Sequence, residues 1–249
     1  MLPFARAEYL NRVERTKARM EAQGVEVLLA TDPANMNYLT GYDSWSFYVH
    51  QLVILALDAD EPVWVGRKMD ANAAKVTTYL KHDNIRAYSD DYVQSAHKHP
   101  MEFVAKLIHE RGWADRRIGL EMDTYYFTAA CYQTLQRDLP QARFADVTSL
   151  VNWVRVIKSP AELEFMSQAA RIIEKAMRVA IDSIDPGVRH CDVAANIYHA
   201  QISGTAEFGG DYTAICPMLP TGVGTSTPHL TWTDEPFREG EATILELAG

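Results

Sequence analysis

The sequence predicts a mixed α/β (α+β) protein, and three observations carry that prediction. Apolar runs of strand length alternate with helical patterns over roughly the first 150 residues, as in a sheet covered by helices. A long amphipathic helix then opens at Ser159-Pro160, and the chain beyond it is rich in loops and short apolar runs. Apolar residues make up 47% of the 249 positions, enough to bury a sizeable core.

Each element has its own local signal. Residues 5–23 carry helical spacing through Tyr9, Val13, Ala18 and Met20, with Gly24 as a stop. VEVLLA (25–30) reads as a buried strand running into a turn-rich loop, TDPANMNYLTGY. QLVILAL (51–57) and PVWVG (62–66), joined by an acidic turn, read as a hairpin. Helical stretches come next near 70–81, 100–111 and 124–138, with IRAYS and RIGLEM as short strands between them.

Ser159 is a natural N-cap, Pro160 suits the first helical position, and Glu162 completes a capping box. Leu163, Met166, Ala170, Ile173, Met177, Ala180 and Ile184 then recur at three- and four-residue steps until Pro186-Gly187. A second helix is expected at about 190–202, then strands at 213–219, 229–232 and 242–248. The change of pattern places a domain boundary near 150–158, giving domains 1–157 and 158–249. The final ATILELAG stops within an apolar strand-like run, so the second domain is expected to be incomplete at its C-terminus.

The formal net charge of −9 argues against nucleic acid or an anionic membrane as main partner, and leaves a cationic or zwitterionic substrate open. Cys131, Cys191 and Cys216 are widely spaced, which suggests reduced, buried thiols in a cytoplasmic protein. The first twenty residues are too charged for a signal peptide, and no apolar run reaches transmembrane length.

No GxGxxG, Walker loop, HExxH or CxxC pair is present. One constellation stands out: His229 comes after a loop crowded with Gly, Ser, Thr and Pro, at the expected start of the strand HLTW. His97, His99, His190 and His199 lack metal-ligand context and read as surface residues.

IKSPAELEFMSQAARI, the DPG turn, the NMNYLTGY loop and HLTW followed by GEATILELAG together resemble the creatinase / aminopeptidase P / prolidase family. The resemblance spans the whole chain. It implies a creatinase-type N-terminal domain and the first part of a pita-bread catalytic domain. The wording GGDYTAICPMLPTG…STPHLTW, then ILELAG, points within the family to members that open the cyclic amidine ring of ectoine, a small zwitterionic solute.

By resemblance, His229 matches the family's active-site histidine. Glu246 lies beside the position where metal-dependent members carry an aspartate, and Leu247 occupies that position. Phe47 stands where creatinase places a substrate-contacting aromatic from a neighbouring subunit, which implies a homodimer; Val49 replaces an arginine there. Two metal ions need bridging carboxylates, and Leu247 supplies none, so no metal and no cofactor is expected. Glu246 then becomes the candidate nucleophile or ion-pair partner for the amidinium. His229, whose side-chain type ionises near neutrality, becomes the proton donor to the departing nitrogen. Trp45, Phe47, Tyr212 and Trp232 are candidate walls, since aromatic faces attract cations.

Each residue has a plainer role beside the functional one. A strand histidine is commonly structural, Glu246 can face solvent, and Trp45, Phe47 and Trp232 can serve packing. Two other functions compete: a metal-dependent Xaa-Pro aminopeptidase or prolidase, and a non-catalytic module or inactive fragment.

Overall fold

Val27–Ala30 (β1) is buried at all four positions because it lies near the middle of a six-stranded sheet covered on both faces. The computed structural model describes residues 2–249, which divide into two units meeting in sequence at Ile157 and Lys158.

In the first unit, β2 (Leu52–Ala56) and β3 (Val63–Arg67) form the expected hairpin, and β2 runs antiparallel to β1 with Leu28 opposite Leu55. β4 (Ile85–Tyr88), β5 (Arg117–Leu120) and β6 (Arg143–Asp146) add in parallel to give the order β4-β3-β2-β1-β5-β6. Alternation divides each strand between two cores. Leu28, Ala30, Val53, Leu55 and Trp64 face one side, and Val27, Leu29, Leu52, Ile54 and Val63 face the other. Double burial explains why β1 and β2 read as unbroken apolar runs.

Helix α1 (Arg6–Ala22) buries Tyr9, Val13 and Met20 as its spacing requires, with Thr16 rather than Ala18 completing the inner face. TDPANMNYLTGY is not a loop. Pro33–Thr40 forms α2, with the Asp32 carboxylate accepting from the Ala34 and Asn35 amides and Gly41 closing the helix at φ 82°. Asp-Pro at the start and Gly at the end are cap signals that outweigh the turn propensity of the individual residues.

α3 (Ala71–Thr77), α4 (Pro100–Glu110) and α5 (Ala129–Asp138) match the expected helices, with α3 and α5 shorter. α6 (Leu150–Arg155) and β6 give no clear local signal: β6 has no fully buried position, and Ser149 enters α6 at φ 71°. α1, α2, α3 and α6 supply the first core, and α4 and α5 the second.

A buried carboxyl ties this unit together. Glu121, just past β5, accepts from the Thr31 amide (2.7 Å), the Asp32 amide (2.8 Å) and Asn35 Nδ2 (2.6 Å). Burial pushes its pKa up against the pull of those three donors.

In the second unit, Ser159 and Glu162 form the expected capping box at the start of α7 (Pro160–Ser183). Helix α8 (His190–Ser203) packs against it around Ala176, Ala180, Val193, Ala194 and Ile197. The apolar stripe of α7 is buried only in its later half, and Leu163 and Met166 are exposed. Helix length accounts for this: α7 runs about 36 Å and α8 about 21 Å, so one cannot cover the other.

The three strands expected after α8 do not form as continuous strands. Met218 bridges Glu246, Thr221 bridges Thr243, and the Leu219 amide donates to the Thr231 carbonyl. Pro217 precedes the central segment and Pro220 interrupts it, removing ladder donors, so pairing is reduced to single bridges.

Candidate active site

His229 stands in a turn after Pro228, with φ 63° and its side chain exposed, and not on a strand as expected. Proline denies the segment a ladder donor, and histidine is among the side chains that tolerate the left-handed region best. Glu246 is exposed too, while Leu245 and Leu247 on either side are half-buried and pack toward the helix-pair core. Alternation along the extended chain produces this: the two leucines anchor the segment and Glu246 takes the opposite face. The central segment 218–222 lies between the segment holding Thr231 and the one holding Glu246. His229 and Glu246 therefore belong to flanking members of one three-segment layer.

Trp232 is half-buried, its ring edge-on to Tyr198 with centroids 5.9 Å apart. Tyr212 is exposed, on a loop where the Asp211 carboxylate accepts from the Tyr212 amide.

Two expected surface histidines are not at the surface. His190 is buried, its Nδ1 3.1 Å from Thr233 Oγ1 and its Nε2 without a partner. Its ring packs on Phe237, and burial lowers its pKa. His99 is half-buried because its Nδ1 accepts from the Met101 amide and caps α4. His97 and His199 are exposed as expected, and among the described residues neither joins a group of three potential metal ligands. Cys131 is fully buried, and Cys191 and Cys216 are half-buried free thiols.

In the first unit, Trp45 and Phe47 lie on the loop between α2 and β2. Trp45 is exposed and packs on Phe47 with centroids 4.8 Å apart; Phe47 in turn meets Tyr126 edge-on. Phe47, Tyr48, His50, Arg67, Tyr92 and Tyr126 line part of a cavity of about 580 Å³. Arg67 is held at its wall by a two-point hydrogen bond to Asp90. His50 lies beside His99 and buried Cys131, and burial holds both imidazoles below the ordinary histidine pKa. No local motif announces this group, because its members are far apart in the chain.

A doubly covered α/β sheet unit followed by a helix pair with a layer of extended segments is the architecture of pita-bread proteins. The chain belongs to the creatinase/prolidase family: residues 12–157 match the Creatinase/Prolidase N-terminal domain, and residues 164–249 match Metallopeptidase family M24. It is 50% identical to an ectoine hydrolase from Halomonas elongata, across 100% of this chain and 63% of that protein. It is 24% identical to a creatinase from a Bacillus species, across 98% of this chain and 57% of the relative. A prolidase from Thermococcus sibiricus superposes with a TM-score of 0.76 at 18% identity, covering 95% of this chain and 60% of the other, which bears on fold alone. The chain thus spans less than two thirds of the length of these relatives.

Membership beside metallopeptidases implies a metal, and at the two positions in question the chain carries Glu246 and, where metal-dependent members carry an acid, Leu247. Among the described residues, this unit brings no three His, Cys, Asp or Glu ligand atoms together as an ion requires. Leu247 packs inward, and Glu246 stands alone on the opposite face. Among the described residues, no helix is long and apolar enough to cross a membrane.

Proposed function

We propose that the protein to which this chain belongs hydrolyses the cyclic amidine of ectoine, a C–N bond cleavage giving N-acetyl-diaminobutyrate, without a metal. The observation that carries this reading is 50% identity along the whole chain to a relative named ectoine hydrolase. In the reaction, water contributes its oxygen to C2, the bond from C2 to one ring nitrogen breaks, and that nitrogen leaves as an amine after taking a proton. Glu246 faces the amidinium, either as an ion-pair partner or as the nucleophile that first bonds C2 and is then released by water. His229 delivers the proton to the departing nitrogen. Aromatic faces of Trp232 and Tyr212, and of Trp45 and Phe47 from a homodimer partner, favour the cationic ring. Side-chain exposure supports the assignment, since His229 and Glu246 both stand clear of the core.

A second reading, a metal-dependent Xaa-Pro aminopeptidase or prolidase, draws on the Metallopeptidase M24 match. Proton NMR of ectoine with the chelator-treated full-length protein separates the two. Ring opening without metal, lost roughly 100-fold or more in His229→Ala and Glu246→Gln, is the expected result. Turnover that returns only with Mn2+ or Co2+ overturns metal independence. Absence of turnover by folded protein in both conditions overturns the ectoine assignment.

A further inference from the structure

We propose that His50, His99 and Cys131 form a binding site for a thiophilic cation, Zn2+ first, within the first unit. The three ligands arrive from three elements. His50 ends the aromatic loop ahead of β2, His99 caps α4, and Cys131 is the third residue of α5.

Cys131 Sγ lies 3.7 Å from His50 Nδ1. The His50 and His99 rings have centroids 4.9 Å apart at an interplanar angle of 43°. One ligand atom from each residue lies within 4.8 Å of the other two. A tetrahedral zinc ion with bonds of about 2.3 Å to sulfur and about 2.0 Å to nitrogen separates those two ligands by about 3.5 Å. The sulfur and the first imidazole are therefore already near coordination spacing, and the second imidazole needs to close by at most about 1.5 Å.

Outer partners that orient ligands are in place. Thr128 Oγ1 lies 3.3 Å from the sulfur, and the Tyr126 backbone bonds the His50 ring. A thiolate with two imidazoles suits Zn2+ or Cu+ and not Mg2+ or Ca2+, which take oxygen ligands. A buried cysteine by itself is an inert thiol; the two imidazoles against it make the ligand set. His50 also lines the 580 Å³ cavity, together with Pro100 and Thr128, so an ion and a fourth ligand have a route in.

Coordination carries a local consequence. An imidazole that lends one lone pair to a metal carries its proton on the other nitrogen. The bond from the Met101 amide to His99 Nδ1 is then exchanged for the metal bond. In return, the ion ties the loop bearing Trp45 and Phe47 to α4 and α5. None of the three ligands belongs to the unit carrying His229 and Glu246.

The test is a titration of the chelator-stripped full-length protein with Co2+ as spectroscopic probe, followed by Zn2+ competition. One equivalent of Co2+ should raise a thiolate-to-metal charge-transfer band that Zn2+ abolishes, and the Met101 amide resonance should shift in step. Cys131→Ser should lose the band and bind Zn2+ roughly tenfold or more weakly, and His99→Gln should also weaken binding, with circular dichroism unchanged in both. Absence of a thiolate band in the wild-type protein overturns the proposal. So does a band that persists in Cys131→Ser, because another cysteine would then hold the metal. If Cys131→Ser fails to fold, Cys131→Ala serves the same comparison.

Discussion

The first unit buries its central strands on both faces, whereas the second buries one face of its extended segments and leaves the other open. Leu28 and Leu29 are adjacent and both fully enclosed, one in each core. Leu245 and Glu246 are adjacent too, yet the leucine packs toward the helix pair and the glutamate is exposed. Packing dictates nearly every side chain in the sheet. In the layer beside α7 and α8, packing dictates alternate side chains and leaves those between them exposed.

The contrast predicts a graded response to substitution. Trp64→Ala should cost about 3–5 kcal/mol in denaturant unfolding, because Trp64 is fully buried against Tyr42. A loss under about 1 kcal/mol would mean that the sheet core can collapse around the gap, and the contrast would fail at its strongest point. Gly66→Ala tests the same packing from the other side: a methyl group there would land inside the Trp64 indole, for a loss of about 1–3 kcal/mol.

Glu121→Gln should cost about 1–3 kcal/mol, since an amide cannot accept from all three donors that the carboxylate now satisfies. Melting no different from wild type would show that this polar node is dispensable. In the second unit, Ser159→Ala should cost about 1 kcal/mol through loss of the α7 cap.

His190 gives the second unit a pH signature. Burial holds its folded pKa below the ordinary value of 6.5, with Glu235 and Glu241 pulling up and Arg238 pulling down. Between those two values the unfolded chain binds a proton that the folded chain does not, so stability should fall as pH drops below 6.5. His190→Asn should flatten that dependence in melts across the window, and an unchanged slope would assign it to other groups. The smallest effects belong to the open face: His229→Ala and Glu246→Gln should change stability by less than about 0.5 kcal/mol. A larger loss would show that these residues support the fold, and would weaken their chemical assignment.

Much of the fold is legible in the sequence because its signals are local. Apolar runs mark β1, β2 and β3, and the Ser159–Glu162 capping box marks the start of α7. Helix α2 is harder to see although Asp32-Pro33 and Gly41 mark both of its ends, because the residues between them have mixed propensities. The partial burial of β6 leaves it no clear apolar alternation. The candidate site is legible in part. His229 and Glu246 stand out through their surroundings, but HLTW has the local pattern of a strand, and the proline before it turns the chain instead.

By itself, then, the sequence determined which segments are apolar, where the capped helices begin and that the fold is mixed α/β. Periodicity and capping act within a few residues, so they need no knowledge of the rest of the chain. Only the tertiary structure decided that His99 and His190 are enclosed, that Glu121 collects three donors and that His50, His99 and Cys131 meet. Those outcomes depend on contacts between distant segments, and burial and ligand geometry are properties of the packed whole that no local pattern encodes.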